Sequence, residues 1–174
     1  MATAGFALFE TAVGTCGIAW NERGVAGVQL PERTVAAMRA TMARRFPGIG
    51  EAPLPSYVRS AIDAMTALLR GESIDLSSIV LDMSGVQPFS RRVYDASRRI
   101  PAGATATYGA IAERLGARGA ARAVGQALGR NPFPIVVPCH RVLAAGGAMG
   151  GFSAPGGVDT KRRLLEIEGA GGRK

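Results

Sequence analysis

A chain of 174 residues, 47% hydrophobic and 20% charged, has room for one globular domain or two small ones and is too apolar for disorder. No apolar run approaches the ~20 residues that cross a bilayer, and residues 1–14 lack the basic-then-apolar layout of a secretory leader. The net charge of +8 is uneven: residues 1–84 carry 7 Arg against 8 acidic residues, whereas residues 85–174 carry 12 Arg and 2 Lys against 5, which suits the rear half to a polyanion.

Taken in order, the chain opens with three short extended segments, Phe6-Ala7-Leu8-Phe9, Gly17-Ile18-Ala19-Trp20 and Val25-Ala26-Gly27-Val28-Gln29-Leu30. Turn formers at residues 13–15 and 21–24 part them, so an antiparallel meander is expected. Trp20 and Cys16 read as packing residues. Pro31 is expected to open a helix running to about Arg45, with Val35, Met38 and Met42 on one face. A loop over residues 48–55 leads to a second helix carrying Val58, Ile62, Met65 and Leu69 at helical spacing and ending at Gly71. Residues 74–83, with Leu76, Ile79 and Leu81 apolar, read as a further strand. The turn cluster at residues 85–88 coincides with the change in charge, so two domains are expected, 1–84 and 85–174.

In the second, a helix from Phe89 spaces Phe89, Val93, Ala96 and Ile100 as a buried stripe and turns Arg91, Arg92, Arg98 and Arg99 outward. Thr105 or Thr107 can cap the next helix, which ends near Leu115 and buries Ile111 and Leu115. The connection Gly116-Ala117-Arg118-Gly119 precedes a helix over residues 120–128, and the pair reads as a helix-turn-helix. Ala120, Val124, Ala127 and Leu128 form the inward face of that second helix. Its outward face, Ala121, Arg122, Gly125, Gln126 and Gly129, is small apart from one arginine and one glutamine. Such a face suits the minor groove, only about 6 Å wide, better than the major groove, whose readers project several long polar side chains.

The run Ile135-Val136-Val137-Pro138-Cys139-His140-Arg141-Val142 brings a thiol and the chain's one histidine together at the end of an apolar, strand-like segment that Pro138 stops. A thiol needs a base or a positive charge beside it to become the reactive thiolate, and His140 and Arg141 can supply both. Two distant cysteines make no disulfide framework, and with one histidine they cannot close a four-ligand zinc site, so neither a metal nor a cofactor is expected. A reactive thiol fits a reducing cytoplasm. Beyond Val142, a hairpin about Gly146-Gly147 is expected, then Gly150-Gly151-Phe152-Ser153, and a final helix over residues 161–168 with Leu164, Leu165 and Ile167 inward. The glycine-rich basic tail, residues 170–174, is expected to be disordered.

Pro138-Cys139-His140-Arg141, with Asn131-Pro132 before it and Gly150-Gly151-Phe152-Ser153 after it, resembles the active-site region of the O6-alkylguanine-DNA alkyltransferases, most closely over residues 89–169. The resemblance implies an α/β (α+β) fold: a small N-terminal antiparallel sheet with helices, then a mostly helical C-terminal domain with a helix-turn-helix. It implies direct-reversal repair, in which an alkyl group leaves O6 of guanine (O4 of thymine being a further candidate) for Cys139 after the nucleotide is flipped from double-stranded DNA. By the same resemblance Glu168, in Leu164-Leu165-Glu166-Ile167-Glu168-Gly169, orients His140, and Tyr108 assists extrusion and proton donation. Arg122 fills the vacated space, with Ala121, Gly125 and Gln126 beside it in the minor groove. Val142, Phe152 and Ser153 belong to the substrate pocket, and Asn131, Pro138 and Arg141 support it. The protein is expected to act as a monomer, away from membranes.

Two departures stand out. Tyr94 occupies a position where the family commonly has tryptophan, at an expected loss of some packing but with no chemical consequence. The stretch Ala154-Pro155-Gly156-Gly157-Val158-Asp159 suggests a longer loop at the pocket rim. The rival readings are a Cys-His hydrolase and a non-enzymatic lesion binder, whose alkyltransferase-like relatives carry tryptophan in place of the cysteine.

Overall fold

The computed structural model describes residues 4–170. Of the tail expected to be disordered, residues 171–174 lie outside the described residues. The chain divides into two compact units, Met1–Ser84 and Gly85–Lys174.

The first unit is built on a three-stranded antiparallel sheet in the order β1 (Gly5–Thr11), β2 (Gly14–Asn21), β3 (Gly24–Gln29). The middle strand is buried on both faces, and Cys16, Ile18, Ala19 and Trp20 have no exposed surface. Gly17 permits this, since a Cβ there would lie 2.7 Å from the sulfur of Met42. Met42 belongs to α1 (Val35–Arg45), which begins later than Pro31 because Thr34 caps it, its hydroxyl accepting from the Ala37 amide. Val35 is therefore exposed, and Met38 and Met42 alone carry the expected stripe inward. In α2 (Ser56–Leu69), Val58, Met65 and Leu69 are buried and Ile62 half-buried.

Residues 74–83 do not form the expected strand. Leu76, Ile79 and Leu81 are buried, yet the backbone joins the sheet only by a bridge between Val25 and Leu81, while the Asp75 carboxylate accepts from the amide and hydroxyl of Ser77 in a local turn. A short acidic side chain bonding its own backbone competes with the ladder.

In the second unit α3 (Pro88–Arg98) starts with proline in its first turn. Val93, Ala96 and Ile100 are buried; Phe89 is half-buried. Tyr94 is also buried, and its hydroxyl donates to the Ala127 carbonyl at 2.7 Å, so the residue in the tryptophan position is fully packed and tied to α5 (Ala121–Gly129). Before α5 comes α4 (Tyr108–Arg114), capped by Thr107, whose hydroxyl accepts from the Ala110 amide. Ile111 is buried in α4, whereas Leu115 and Ala120, in the connection, are half-buried.

Three expectations fail in the segment that follows. Residues 135–137 are a buried turn rather than a strand: the Val137 amide donates to the Phe133 carbonyl, and Ile135 sits at φ +77°. Val142 opens no hairpin. Instead β5 (Val142–Leu143) pairs in parallel with β4 (Ala106–Thr107), and a single turn of 3-10 helix follows at Ala145–Gly147. The last helix, α6 (Gly157–Ile167), begins four residues before the expected start, so it absorbs Gly157, Val158 and Asp159, which the sequence assigns to a longer rim loop. Leu164 and Leu165 are buried in α6 and Ile167 half-buried.

Candidate active site

Cys139, His140 and Arg141 form one turn of 3-10 helix that Pro138 precedes, and all three are buried. The turn is fixed from behind by Asn131: its side-chain amide donates to the Val137 carbonyl at 2.9 Å, and its oxygen accepts from the Phe133 amide at 2.8 Å. Asn131 and Pro138 thus hold the backbone on which the thiol is displayed.

Glu168, just past α6, reaches the same turn. One carboxylate oxygen lies 2.8 Å from His140 Nε2 and also accepts from Arg141 Nη2 at 2.7 Å, while the other accepts from Arg141 Nε at 2.9 Å. Arg141 Nη1 donates to the Ile100 carbonyl, so the guanidinium is anchored independently of the carboxylate. Burial alone raises the Glu168 carboxyl; the hydrogen bonds and charges of His140 and Arg141 outweigh it and hold the group at about 2. An ionised Glu168 accepts, so Nε2 carries the hydrogen and Nδ1 keeps its lone pair. Nδ1 is buried and has no hydrogen-bond partner among the described residues. Burial holds the imidazole below its usual value, against Glu168, which raises it, so the ring is neutral near pH 7 and able to take a proton.

The Cys139 thiol is pushed up by burial, and the Asn131 hydrogen bond and the Lys161 charge oppose that rise. It opens onto a cavity of about 650 Å³ whose walls include Tyr108, Ala121, Arg122, Gly125, Gln126, Gly129, Phe152 and Ser153. This size accommodates a small organic ligand. Tyr108 is raised by burial and by Cys139, so it is a neutral phenol and a potential donor, and its hydroxyl packs against Gly150. Ser153 donates to the Gly129 carbonyl at 2.8 Å, joining the Gly-Phe-Ser wall to the end of α5.

The structure therefore brings Cys139, Tyr108, the α5 face, Phe152 and Ser153 around one space, with His140, Glu168, Arg141, Asn131 and Pro138 behind the thiol. Val142 is the exception. It is fully buried and lies outside the cavity wall, and its carbonyl accepts from Lys161 Nζ at 2.8 Å. Lys161 itself was not legible as a site residue, since one lysine at the start of a polar helical stretch looks like surface. Tyr94 also belongs nearer the site than the sequence suggests: burial and then the Cys139 charge push its phenol up to about 12. Among the described residues no group of three or more His, Cys, Asp and Glu could hold a metal, and no helix is long and apolar enough to cross a membrane.

Residues 88–170 match the family model described as 6-O-methylguanine DNA methyltransferase, DNA binding domain. The methylated-DNA–protein-cysteine methyltransferase of Methanothermobacter thermautotrophicus is 37% identical over 153 residues, 88% of this chain and 78% of that protein. The chain belongs to the methylated-DNA–protein-cysteine methyltransferase family. The front of the chain, where motifs are few, is included in that relationship. A crystal structure of Mycobacterium tuberculosis OGT in complex with DNA superposes with a TM-score of 0.76 at 35% identity, covering 95% of this chain and 92% of that one. The O6-methylguanine-DNA methyltransferase of Pyrococcus kodakaraensis gives a TM-score of 0.69 at 30% identity over 96% and 99% of the two chains.

Proposed function

We propose that this protein repairs O6-alkylguanine in double-stranded DNA by moving the alkyl group to Cys139, once per molecule. The observation that carries the reading is the buried Cys139-His140-Glu168 series at the floor of a cavity faced by α5, with His140 Nδ1 unpartnered. The target oxygen is inaccessible inside a duplex, so the nucleotide is flipped into the cavity, at an expense of a few kcal/mol. Arg122 occupies the vacated stack, and Ala121, Gly125 and Gln126 let α5 lie in the minor groove. Residues 85–174, read as a helix-turn-helix alkyltransferase domain, carry the chemistry; residues 1–84 support them.

His140 takes the thiol proton, directly or through a water, and Glu168 stabilises the imidazolium that results. The sulfur then attacks the alkyl carbon: the S–C bond forms, the C–O6 bond breaks, and its electrons go to guanine, which accepts a proton from the site. Tyr108 is the neutral phenol positioned to donate it. The product is a thioether with no carbonyl for water to attack, so Cys139 is not regenerated. A cytoplasmic setting, which keeps thiols reduced, suits a protein that has one nucleophile to spend.

The reading is tested by incubating the protein with a duplex containing O6-methylguanine. One methyl mass should appear on the Cys139 peptide, and the reaction should stop at one equivalent. Multiple turnover would favour a hydrolase, label on Cys16 would move the nucleophile, and tight binding without transfer would favour a lesion binder. Cys139, present where lesion binders carry tryptophan, is what argues against the last.

A further inference from the structure

Tyr94 stands where the family commonly has tryptophan, and its surroundings give it a task beyond filling space. It is 2% exposed and does not line the cavity, so it touches neither DNA nor substrate. Its hydroxyl donates to the Ala127 carbonyl at 2.7 Å, a bond that joins α3 to α5. A buried phenol needs such a partner. Burial and the charge of Cys139 push its ionisation up to about 12, so it is a donor at any pH near neutrality.

The acceptor lies in the last turn of α5, where carbonyls have no partner within the helix. Three of them are met from three directions. Ala127 accepts from Tyr94 and from the Arg130 amide, Leu128 from the Asn131 amide at 3.2 Å, and Gly129 from Ser153 at 2.8 Å. Asn131 in turn fixes the Cys139 turn through Val137 and Phe133. A series of hydrogen bonds and short backbone links therefore runs from α3, through the end of α5, to the turn that displays the thiol. Tyr94 is its fixed end, set in α3 between buried Val93 and Ala96, with Ser90 one turn back bonded to the same phenol.

We propose that Tyr94 is a positioning residue that sets the reach between the DNA-facing helix and the nucleophile: its phenol clamps the last turn of α5 to α3 and so holds α5 and Cys139 at one separation. This rests on Cys139 accepting the alkyl group from a nucleotide flipped out of a duplex. A flipped nucleotide stays tethered to its strand, so the distance from groove-bound α5 to the sulfur has to match the tether, and a misplacement of about 1 Å is costly. A free base carries no tether and needs only the cavity. The position accordingly calls for an aromatic ring with a hydrogen-bond donor. Tyrosine and tryptophan both meet that description, and phenylalanine does not.

The test compares wild type with Tyr94→Phe and Tyr94→Trp. Tyr94→Phe keeps the ring and removes the donor. Its repair of duplex O6-methylguanine should fall roughly fivefold further than its reaction with free O6-benzylguanine, the factor that one hydrogen bond corresponds to. Amide hydrogen exchange at Arg130 and Asn131 should quicken in the same variant while α6 is unchanged. Tyr94→Trp should recover most of both. Wild-type repair of the duplex by Tyr94→Phe would show that the ring only packs, and equal losses on the two substrates would place the effect outside α5; either result overturns the proposal. A folded Tyr94→Trp that repairs no better than Tyr94→Phe would overturn the requirement for a donor. Exchange needs no alkyl transfer, so quickened exchange at the end of α5 in a protein that never accepts a methyl would fault the repair reading instead.

Discussion

Glu168 presents a single oxygen to two donors, His140 Nε2 and Arg141 Nη2, and that sharing sets what the histidine can do. Were the carboxyl protonated, it could donate to Nε2, move the ring hydrogen to Nδ1 and remove the base. Arg141, held also by the Ile100 carbonyl, prevents this by keeping the carboxyl ionised. Glu168→Gln should expose the arrangement, because its amide can donate to Nε2 and favour the wrong tautomer. Alkyl transfer from free O6-benzylguanine should fall by roughly 10²-fold or more, the scale of a lost general base. In wild type the rate should drop with acid as His140 protonates, below the ordinary histidine value, because burial lowers it. Glu168 raises that value, so in the variant the acid limb should move further down; a limb that stays in place, with a rate unchanged, would remove Glu168 from the mechanism. Cys139, His140 and Glu168 were readable as residues because the motifs around them are short and contiguous. Lys161 was not, since its burial depends on α6 docking against the Cys139 turn, a tertiary fact with no local signature.

The α5 helix places its small face on the cavity side, and the space around it indicates what the small residues are for. A Cβ built on Gly125 or Gly129 meets nothing within 4 Å, so neither glycine is needed for internal packing. Glycine inside a helix is less stable than alanine by roughly 0.5–1 kcal/mol, and with no packing gain to offset this, close approach to an outside partner is the remaining reason. Gly125→Leu should therefore fold as well as wild type or slightly better, and its repair of duplex DNA should fall at least about tenfold further than its reaction with free O6-benzylguanine. Arg122→Ala should split the two substrates in the same direction, because the free base needs no extrusion; equal losses on both would mean that the helix is damaged, not its fit to the groove. This face was legible from its spacing alone, as were the three strands of the meander. Residues 135–137 and 74–83 were not. Their β-branched, apolar content is that of strands, but the Asn131 and Asp75 side chains bond the local backbone and bend it out of any ladder. The start of α1 was misplaced for a related reason, Thr34 being the stronger signal than Pro31.

At the scale of the whole molecule, the buried charges that make the site reactive also tie folding to pH. Burial lowers His140 in the folded state, so unfolding takes up a proton below its ordinary value of 6.5, and stability present above 6.5 is lost as pH falls through the lower folded value. Glu168 acts in the same direction at lower pH. Its folded value of about 2 lies below the ordinary 4.5, so its contribution is intact above 4.5 and disappears as pH falls towards 2. The Glu168 shift corresponds to a contribution on the order of 3 kcal/mol, a large part of a typical domain's 5–15 kcal/mol. Net charge complicates a single profile, because a chain already at +8 repels itself more strongly as its carboxylates protonate. That repulsion is nearly the same in wild type and Glu168→Gln, so the difference between them reports the carboxylate together with its hold on His140. Denaturant unfolding of both proteins between pH 8 and about 2.5 should show a constant gap above about pH 6.5, changing as His140 titrates and closing as Glu168 protonates at lower pH. A gap independent of pH would mean that Glu168 stabilises the fold by shape alone, and that its carboxylate is not held ionised by His140 and Arg141.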